Sequence, residues 1–490
     1  MTSSDTVQRM QNQLGKNSGA HSLLEVSMGW MDGLYDSAQG LLRHPNDPDN
    51  HMVRESLWYA LGLLLESQPG KPDARQDRFE RIVSSVLANH YDAPGKIYHG
   101  TFKRAPREPD PPVDAVIWQD YDPNWRQFIG TILLLLRRLE GHQRLASQLP
   151  AIDTALALCI QGEPEDRVPP TYTNIALMKA WLEVEHGDLI DGHTRQRGLS
   201  YAAKINEAFN QHKAFSEYNS PTYYGINFFA LGLWQNFSDD LAGKGREINT
   251  ILWTDVARFY HPGMKNLCGP WSRSYGMNMQ DYVAALGLWI WSATSRETAP
   301  FPSSTSELVH GHDFCLGPIA AFSAVAIPAE VKEHFSKFGE PRNISQQISI
   351  APFRKAEAYL SQNLMIGLES STKSFHGTDQ YHPLTIHWCD TKARVNWSRL
   401  RFRGSLFGEL EANKINLKLT ADDGVKSARL EFSHAIQISG QTITSNGLTL
   451  HFEPTYPLEA EGNCLTINLP DFSSEYPLAI TCDMSEGVGE

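Results

Sequence analysis

Residues 217–237 read Glu-Tyr-Asn-Ser-Pro-Thr-Tyr-Tyr-Gly-Ile-Asn-Phe-Phe-Ala-Leu-Gly-Leu-Trp-Gln-Asn-Phe. The first nine residues predict a polar, aromatic loop, and the part from Phe228 to Phe237 predicts a strongly apolar helix. A polar loop held at the start of a buried helix is a common way to build a site. The stretch therefore predicts a helix-rich fold with functional groups at the start of this helix.

Two other segments have the same character, and each also leads into a predicted helix. Trp118–Gly130 reads Trp-Gln-Asp-Tyr-Asp-Pro-Asn-Trp-Arg-Gln-Phe-Ile-Gly. Asn266–Asp281 reads Asn-Leu-Cys-Gly-Pro-Trp-Ser-Arg-Ser-Tyr-Gly-Met-Asn-Met-Gln-Asp. Three such loops predict one shared pocket.

From about residue 20 to residue 295 the chain predicts successive helices separated by Gly, Pro and Asn/Asp loops, the last of them Met277–Ser292. Three helices contain Ala-Leu-Gly-Leu, beginning at Ala60, Ala230 and Ala285. The last two copies begin 55 residues apart, about the length of one helical hairpin. This spacing indicates repeated units stacked side by side. Chance recurrence in a helix-rich chain is the alternative.

The pattern changes near Pro300, where Thr298–Ser306 is rich in Pro, Ser and Thr. Later segments alternate between apolar and polar residues and predict an antiparallel β-sandwich. Helices followed by strands predict a multidomain α+β fold. The expected divisions are a flexible N-terminus (1–19), a helical domain (20–297), a connecting segment (298–345) and a β-sandwich domain (346–490). The clearest strands are Ile415–Leu419, Ala428–Phe432, Ala435–Ile438, Leu448–Phe452 and Cys464–Leu469.

The length of the chain bears on the number of domains, and its net charge bears on the kind of partner. At 490 residues the chain exceeds the usual limit of a single core, which favours two domains. A net charge of −13 argues against nucleic acid or an anionic membrane as the main partner, because both attract concentrated Lys and Arg. A small-molecule substrate is the expected partner.

Neither targeting nor metal chemistry has a clear signature. The N-terminus lacks the basic stretch followed by an apolar stretch that marks a secretory signal, so a cytoplasmic location is expected. No apolar run approaches the roughly 20 residues of a membrane span. The six cysteines contain no Cys-x-x-Cys pair, which argues against a zinc site or a disulfide scaffold. We expect no metal and no cofactor.

The order of helical hairpins and then a β-domain resembles the (α/α)-toroid polysaccharide lyases, which act on hyaluronate, chondroitin, heparin and alginate. Asn124–Thr131 resembles the Asn-Trp-Trp and Glu-Ile-Gly segment of the hyaluronate and chondroitin enzymes. Tyr223-Tyr224-Gly225 is similar in position to their catalytic tyrosine loop, and Arg273 and Tyr275 are similar to their arginine loop. The resemblance implies that 20–297 is an (α/α) toroid.

Two departures from those lyases affect the chemistry. The lyases have an Asn shortly after the Ile-Gly, where this chain has Ile132-Leu133-Leu134, and a His ahead of the tyrosine, where this chain has Glu217-Tyr218-Asn219. The chain more closely resembles a largely uncharacterised fungal group, often cytosolic, that shares Tyr-Asn-Ser-Pro-Thr-Tyr-Tyr-Gly and Arg-Ser-Tyr-Gly-Met. That likeness favours small-molecule metabolism.

Tyrosine hydroxyls can transfer protons when a neighbouring cation or burial adjusts their pKa, and Arg273 is the candidate cation. Any single tyrosine can instead belong to the core, and Asn219 or Ser220 can instead cap the following helix. Asp120 and Asp122 favour an Asx turn over a metal pair. The catalytic candidates are Glu217, Asn219, Tyr223, Tyr224 and Arg273. The substrate-binding candidates are His99, Trp118, Asn124, Trp125, Arg126, Tyr218, Trp271 and Tyr275.

Three functions fit these residues. The first is cofactor-independent cyclisation or isomerisation of a small apolar terpenoid or polyketide intermediate, as in a Diels-Alderase, because an aromatic cavity folds such a substrate and a few hydrogen bonds polarise it. The second is a lyase reaction, β-elimination on a uronate-containing glycan, as the resemblance implies. The third is non-catalytic glycan binding or a scaffold role. A dry aromatic cleft favours the first, and clustered cations favour the second.

Overall fold

The computed structural model describes residues 11, 12, 14–67, 75–140, 143–304, 308–323, 327–376, 380–470 and 475–484, with Gln76, Phe375 and His376 described in their backbone alone. The α-helices are α1 (Ser18–Leu34), α2 (Val53–Glu66), α3 (Gln76–Leu87), α4 (Trp125–Glu140), α5 (Leu149–Gln161), α6 (Thr173–His186), α7 (Thr194–His212), α8 (Tyr224–Phe237), α9 (Ala242–Phe259), α10 (Ala285–Ala293) and α11 (Gly317–Phe322). Short 3-10 helices are Gly187–Leu189, Gly311–Leu316 and Ala329–Phe335. Every helix in these described ranges is too short or too polar to cross a bilayer.

Most strands follow the helices. They are β1 (Tyr35–Asp36), β2 (Leu41–His44), β3 (Asp47–Met52), β4 (Tyr260–His261), β5 (Asn266–Leu267), β6 (Arg342–Ile350), β7 (Phe353–Leu360), β8 (Leu364–His376), β9 (Leu384–Cys389), β10 (Val395–Arg401), β11 (Arg403–Glu411), β12 (Lys414–Ala421), β13 (Ser427–Phe432), β14 (Gln437–Ser439), β15 (Thr442–Ser445), β16 (Leu448–Glu453), β17 (Leu458–Glu461), β18 (Cys464–Asn468) and β19 (Glu475–Met484). The predicted α+β class is confirmed.

Contacts divide the chain into two units that interleave in sequence. We call 1–208, 224–249 and 282–326 the helical unit, and 209–223, 250–281 and 327–490 the sheet unit. Two of the three polar loops, around Glu217 and Arg273, therefore belong with the strands. The four segments expected from the sequence, with their three boundaries, stay a prediction.

In the helical unit, alternate helices pack on one another. The contacts run from α2 to α4, α6, α8 and α10, and both α10 and α11 contact α1. The Ala-Leu-Gly-Leu glycines lie where these elements approach closely. A Cβ at Gly62 would lie 2.1 Å from Met28 Sδ, and one at Gly287 would lie 2.5 Å from Pro300 O. A larger residue at Gly62 requires at least the Met28 side chain to move, and one at Gly287 requires the backbone at Pro300 to move.

The sheet unit contains a 14-stranded antiparallel sheet. Its main path runs β14-β15-β16-β19-β12-β11-β8-β9-β10-β13-β18-β17, and β7 and β6 continue from β8. Strands such as β12 alternate buried and exposed residues, as expected when one face covers a core. Apolar residues from most strands, including Trp388, Leu417 and Ile467, form that core.

Residues 277–284 form a loop, although the sequence predicts that the helix begins at Met277. Side chains fix this loop: Asn266 Nδ2 donates to Met277 O (3.1 Å), Met279 N donates to Asn266 Oδ1 (3.2 Å), and Gln280 Nε2 donates to Met264 O (2.9 Å). Hydrogen bonds to a distant turn thus replace those of the first helical turns.

The loop that carries Arg273 lies directly on strands of the sheet unit. Trp271 and His382 exchange backbone hydrogen bonds of 3.1 and 3.0 Å. Behind this bridge the backbones nearly touch, since a Cβ at Gly367 in β8 would lie 1.9 Å from the carbonyl carbon of Gly269. The sheet is therefore a rigid base for this loop.

Candidate functional site

Five side chains of the sheet unit form a connected polar group, which we call the Arg273 cluster: Glu217, Tyr223, Arg273, Tyr275 and Gln380. Arg273 donates to Glu217 Oε1 (3.1 Å), to the Tyr223 hydroxyl (2.8 Å) and to Gln380 Oε1 (2.9 Å). The hydroxyls of Tyr223 and Tyr275 are 3.1 Å apart. Four of the predicted site residues thus lie together.

The cluster is held by contacts between the two loops. Ser220 Oγ donates to Arg273 O (2.6 Å) and accepts from Tyr223 N (3.0 Å). Asn219 has a left-handed backbone with φ of 50°, and its Nδ2 donates to the carbonyls of Cys268 (2.8 Å) and Pro270 (2.9 Å). Asn219 is buried, and in this arrangement its amide positions the loop that carries Arg273.

The third element is the turn before β9. Ser274 N donates to Gln380 O (2.7 Å), which fixes the turn to the Arg273 loop, and the Gln380 amide oxygen then meets Arg273. The sequence analysis missed Gln380. Its signal was weak, because a glutamine in a turn has no spacing that links it to residues more than a hundred positions earlier.

One donor direction within the cluster follows from chemistry. A guanidinium has no acceptor, so the Tyr223 oxygen accepts from Arg273, whereas either hydroxyl can be the donor in the bond between Tyr223 and Tyr275. Burial, with contributions from Tyr275 and Glu217, raises the pKa of Tyr223 well above its ordinary value, although Arg273 opposes this. Tyr223 is therefore neutral at physiological pH.

Solvent reaches one side of the cluster. Tyr275 is 38% exposed and the Arg273 side chain is 30% exposed, whereas the Glu217 side chain is 11% exposed. The Arg273 guanidinium carbon also lies 3.9 Å from the Tyr223 ring centroid, within cation–π range. A substrate would meet Tyr275 and Arg273 first, with Tyr223 and Glu217 behind them.

A buried ion pair supports the cluster from the sheet. Arg354 donates to both Glu369 oxygens (2.6 and 3.2 Å) and to Ser216 O (2.8 Å), next to Glu217. Tyr381, adjacent to Gln380, is partly buried with an inaccessible hydroxyl, and this burial together with the Glu369 charge raises its pKa. The segments that carry Glu217 and Gln380 therefore both contact the ion pair of Arg354 and Glu369.

Tyr218 faces away from this polar group and into the core. Its hydroxyl donates to Asp255 Oδ1 at 3.1 Å, and its ring packs on Phe259. Burial raises the pKa of Asp255 to about 6, against the opposing effects of the Tyr218 hydrogen bond and Arg258. Asp255 is a second residue that the sequence analysis missed, since helix α9 offered no pattern to mark it.

Trp271 and two histidines of the sheet pack beneath the Arg273 loop. The Trp271 ring centroid lies 5.9 Å from that of His382 and 5.2 Å from that of His387. Burial lowers the pKa of His382 to about 3 and that of His387 to about 4, so both rings are neutral. Their Nε2 atoms contact the carbonyls of Ser274 and Met277, which gives them a supporting role. His376, a third histidine near this region, has its side chain outside the described residues.

The other predicted residues belong to the helical unit, where they form a different network. Asn124 Nδ2 donates to the Tyr172 hydroxyl (2.9 Å), and Arg167 donates to Asn124 Oδ1 (2.8 Å). Arg126 is fully buried and donates to the carbonyls of Ile97 (3.0 Å) and His99 (2.7 Å). These bonds fix the start of α4.

The remaining side chains of that unit are divided between core and surface. Trp125 lies 5.0 Å from the Arg54 guanidinium, and Tyr224 is buried in α8. Trp118 is 60% exposed with φ of 64°, and His99 Nδ1 accepts from Ala93 N at 3.0 Å. The Asx turn predicted at Asp122 forms, since its Oδ1 accepts from Asn124 N at 2.9 Å. The catalytic role of Tyr224 and the substrate-binding roles of Trp125, Trp118 and His99 stay predictions.

Comparison with known proteins gives a family but no activity. A family model described as "Domain of unknown function (DUF8769)" matches residues 21–325, more than half of the chain. No curated protein matches. A solved structure titled "Heparinase III-BT4657 gene product, Methylated Lysines" matches with a TM-score of 0.35 and 9% identity, covering 88% of this chain and 76% of that chain. A likeness at that level assigns no chemistry to this chain, and none of these matches identifies a fungal group.

Proposed function

Because the chain belongs to the family described as Domain of unknown function (DUF8769), whose description states no activity, we propose a function from the Arg273 cluster. We propose that the protein is a lyase that catalyses β-elimination on a carboxylate-bearing saccharide. Tyr275 transfers the proton, Tyr223 and Arg273 stabilise the Tyr275 phenolate, and Glu217 and Gln380 orient Arg273.

The chain of contacts from Arg273 to Tyr223 to Tyr275 carries this proposal. It ends at a solvent-accessible phenol and begins at a cation, with distances of 2.8 and 3.1 Å. A preorganised donor aimed at an oxygen that gains negative charge is among the strongest catalytic devices known. Tyr223, which is neutral and whose hydroxyl lies 3.1 Å from the Tyr275 oxygen, is placed to be that donor once Tyr275 is a phenolate.

The reaction balances without an oxidant or a cofactor. Tyr275, as phenolate, takes the proton from the carbon next to the carboxylate. The bond between the neighbouring carbon and the glycosidic oxygen breaks, a carbon–carbon double bond forms, and the departing oxygen receives the proton from Tyr275. The exposed side of Arg273 is the natural partner for the substrate carboxylate, because guanidinium binds carboxylates in a planar fork.

Cyclisation of an apolar terpenoid or polyketide remains the second candidate. Such a reaction depends on a dry cavity that folds the substrate, with one or two hydrogen bonds to a polarised carbonyl. The abundance of Trp, Tyr and Phe favours it, whereas a paired Arg and Glu beside two phenols favours proton transfer.

The helix order also supports a lyase-like scaffold. We infer an (α/α) toroid from the contacts that run through α2, α4, α6, α8 and α10 and return to α1. A closed order of this kind is what stacked helical hairpins in a ring require. The fold alone does not assign the chemistry, which rests on the cluster.

The test is a screen of uronate-containing glycans with the full-length protein, measuring the ultraviolet absorbance of the new double bond. On a substrate that is cleaved, we expect Tyr275→Phe to lower kcat at least about 1,000-fold. We expect Tyr223→Phe to lower it by about 100-fold, since removal of one preorganised donor costs about that much. The matched control is Tyr359→Phe, a partly buried tyrosine of β7 outside the cluster, which should leave kcat unchanged.

Other outcomes separate the alternatives. Glycan binding without turnover would support the non-catalytic function. If the protein cleaves none of the glycans but converts an uncyclised metabolite isolated from a deletion strain, this result would support the cyclase function. Turnover that survives both Tyr275→Phe and Tyr223→Phe would refute the proposed roles even if the protein is a lyase.

A further inference from the structure

A group of potential metal ligands in the helical unit shares no residue with the Arg273 cluster. His310, His312 and Asp313 belong to the segment His-Gly-His-Asp at the start of the 3-10 helix Gly311–Leu316. One ligand atom from each of the three residues lies within 4.8 Å of the other two. We propose that these side chains bind one divalent transition-metal ion, with Zn²⁺ as the representative ion.

The backbone is shaped to bring the three side chains together. His310 has φ of 52° and ψ of 36°, a left-handed conformation that costs energy for a residue other than glycine. The tight 3-10 turn follows at once, with Asp313 N donating to His310 O at 3.0 Å. In this turn the three side chains lie close enough to share one ion.

The ligand set selects the class of metal. Two imidazoles and one carboxylate suit zinc and its neighbours in the first transition series, whereas calcium and magnesium prefer oxygen ligands. A tetrahedral ion with bonds of about 2.0–2.1 Å holds its ligand atoms about 3.4 Å apart. The side chains need to close by on the order of 1 Å, which partly exposed rotamers can do.

Three protein ligands leave a position for water or a substrate atom, as in catalytic zinc sites. The site is reachable, because the His312 and Asp313 side chains are 33% and 17% exposed. His44 lies beside it, with its ring centroid 5.8 Å from that of His312.

His44 fits a supporting role better than direct ligation. Its Nδ1 accepts from Asn46 N at 3.2 Å, so in the neutral ring Nε2 carries the hydrogen. An Nε2–H group cannot bind a metal but can donate to a metal-bound water or anion. The hairpin that carries His44 packs on this segment, since a Cβ at Gly311 would lie 3.5 Å from Pro45 Cγ.

The charged neighbours are compatible with a cation. Arg54, whose charge interacts with Asp313, is already paired with Glu55 at 2.5 Å. The Arg54 charge is thus largely balanced before an ion binds.

The test is a titration of full-length protein, freed of metal with a chelator, with ZnCl₂ in a calorimeter. We expect one equivalent to bind, and His310→Asn and His312→Gln each to weaken binding at least 100-fold. Asparagine tolerates the left-handed backbone, so His310→Asn should fold. His21→Gln, an exposed histidine of α1, is the matched control and should bind zinc like the parent chain.

Two further measurements distinguish loss of metal binding from loss of folding. Bound Co²⁺ should give the visible absorption of a low-coordinate site in the parent chain and in His21→Gln, and lose it in His312→Gln. Circular dichroism checks that each variant is folded. Absence of a stoichiometric site in the parent chain, or unchanged zinc affinity in both His310→Asn and His312→Gln, would overturn the proposal.

Discussion

Arg273 contacts a carboxylate, a phenol and an amide with one guanidinium, and this explains why its surroundings are so strongly fixed. Glu217 and Tyr223 come from one loop, and Gln380 comes from a turn more than a hundred residues later. A lysine cannot satisfy three partners in a planar arrangement. The geometry at this residue is therefore specific to arginine.

Asp255 gives a prediction about pH and stability. Its pKa is raised to about 6 in the folded protein, compared with about 3.9 for an unfolded chain. The folded state then holds the proton more tightly, so this residue's contribution to stability is complete below about pH 4 and is lost as the pH rises through 6. The loss is on the order of 3 kcal/mol.

Asp255→Asn removes this dependence, because the amide stays neutral and can still accept from Tyr218. We expect the melting temperatures of variant and parent to be similar at pH 4, and the variant to melt higher at pH 7. Thermal unfolding measured at pH 4, 5, 6 and 7 tests this. A constant difference across that range would contradict a raised pKa.

At the scale of elements, the contact between the Arg273 loop and strand β8 is the tightest point of the site. A Cβ at Gly367 would lie 1.9 Å from the Gly269 carbonyl carbon and 2.5 Å from Pro270 N, and backbone cannot yield as a flexible side chain can. We expect Gly367→Ala to destabilise the sheet unit by about 3 kcal/mol and to reduce activity, because the loop must move.

Gly339→Ala is the control for that change. An added Cβ there meets no atom within 4 Å, so stability and activity should be close to those of the parent protein. Chemical denaturation with both variants provides the measurement. Equal stability of Gly367→Ala and Gly339→Ala would show that the loop is not seated on β8 as described.

The sequence predicted those elements and site residues whose signal is local. Helix periodicity located α2 and α8, and alternation located β12 and β16. The hairpin β1–β3 was missed because Asp47–Met52 is polar and short. Polar and aromatic content marked both loops of the Arg273 cluster, but Gln380 joins through tertiary contacts that no local pattern encodes.

At the scale of the whole molecule, the sheet unit includes two segments that lie among the helices in the sequence. Segments 209–223 and 250–281 belong with residues 327–490. Arg342 donates to the carbonyls of Arg258 and Tyr260 (both 2.9 Å), and Gln346 donates to His212 O (2.6 Å). Without these two segments, the strands of residues 327–490 lose hydrogen-bond partners and part of the surface that covers them.

This interleaving predicts how fragments behave. We expect residues 327–490, expressed alone, to lack a cooperative unfolding transition and to bind a hydrophobic dye, because Trp271 and its neighbours no longer cover β8 and β9. The full-length chain is the control. A fragment that unfolds cooperatively, with the secondary structure of the full-length sheet, would show that the inserted segments are dispensable for folding.

The central claim is that the Arg273 cluster carries out β-elimination, and the mass of the product tests it most directly. Full-length protein and its Tyr275→Phe variant are incubated with a uronate-containing oligosaccharide, and the products are weighed by mass spectrometry. From the parent protein we predict one unsaturated and one saturated fragment whose masses add up to that of the substrate, and we predict almost no product from Tyr275→Phe. Two saturated fragments whose masses together exceed the substrate by one water, or equal product from both proteins, would contradict the account.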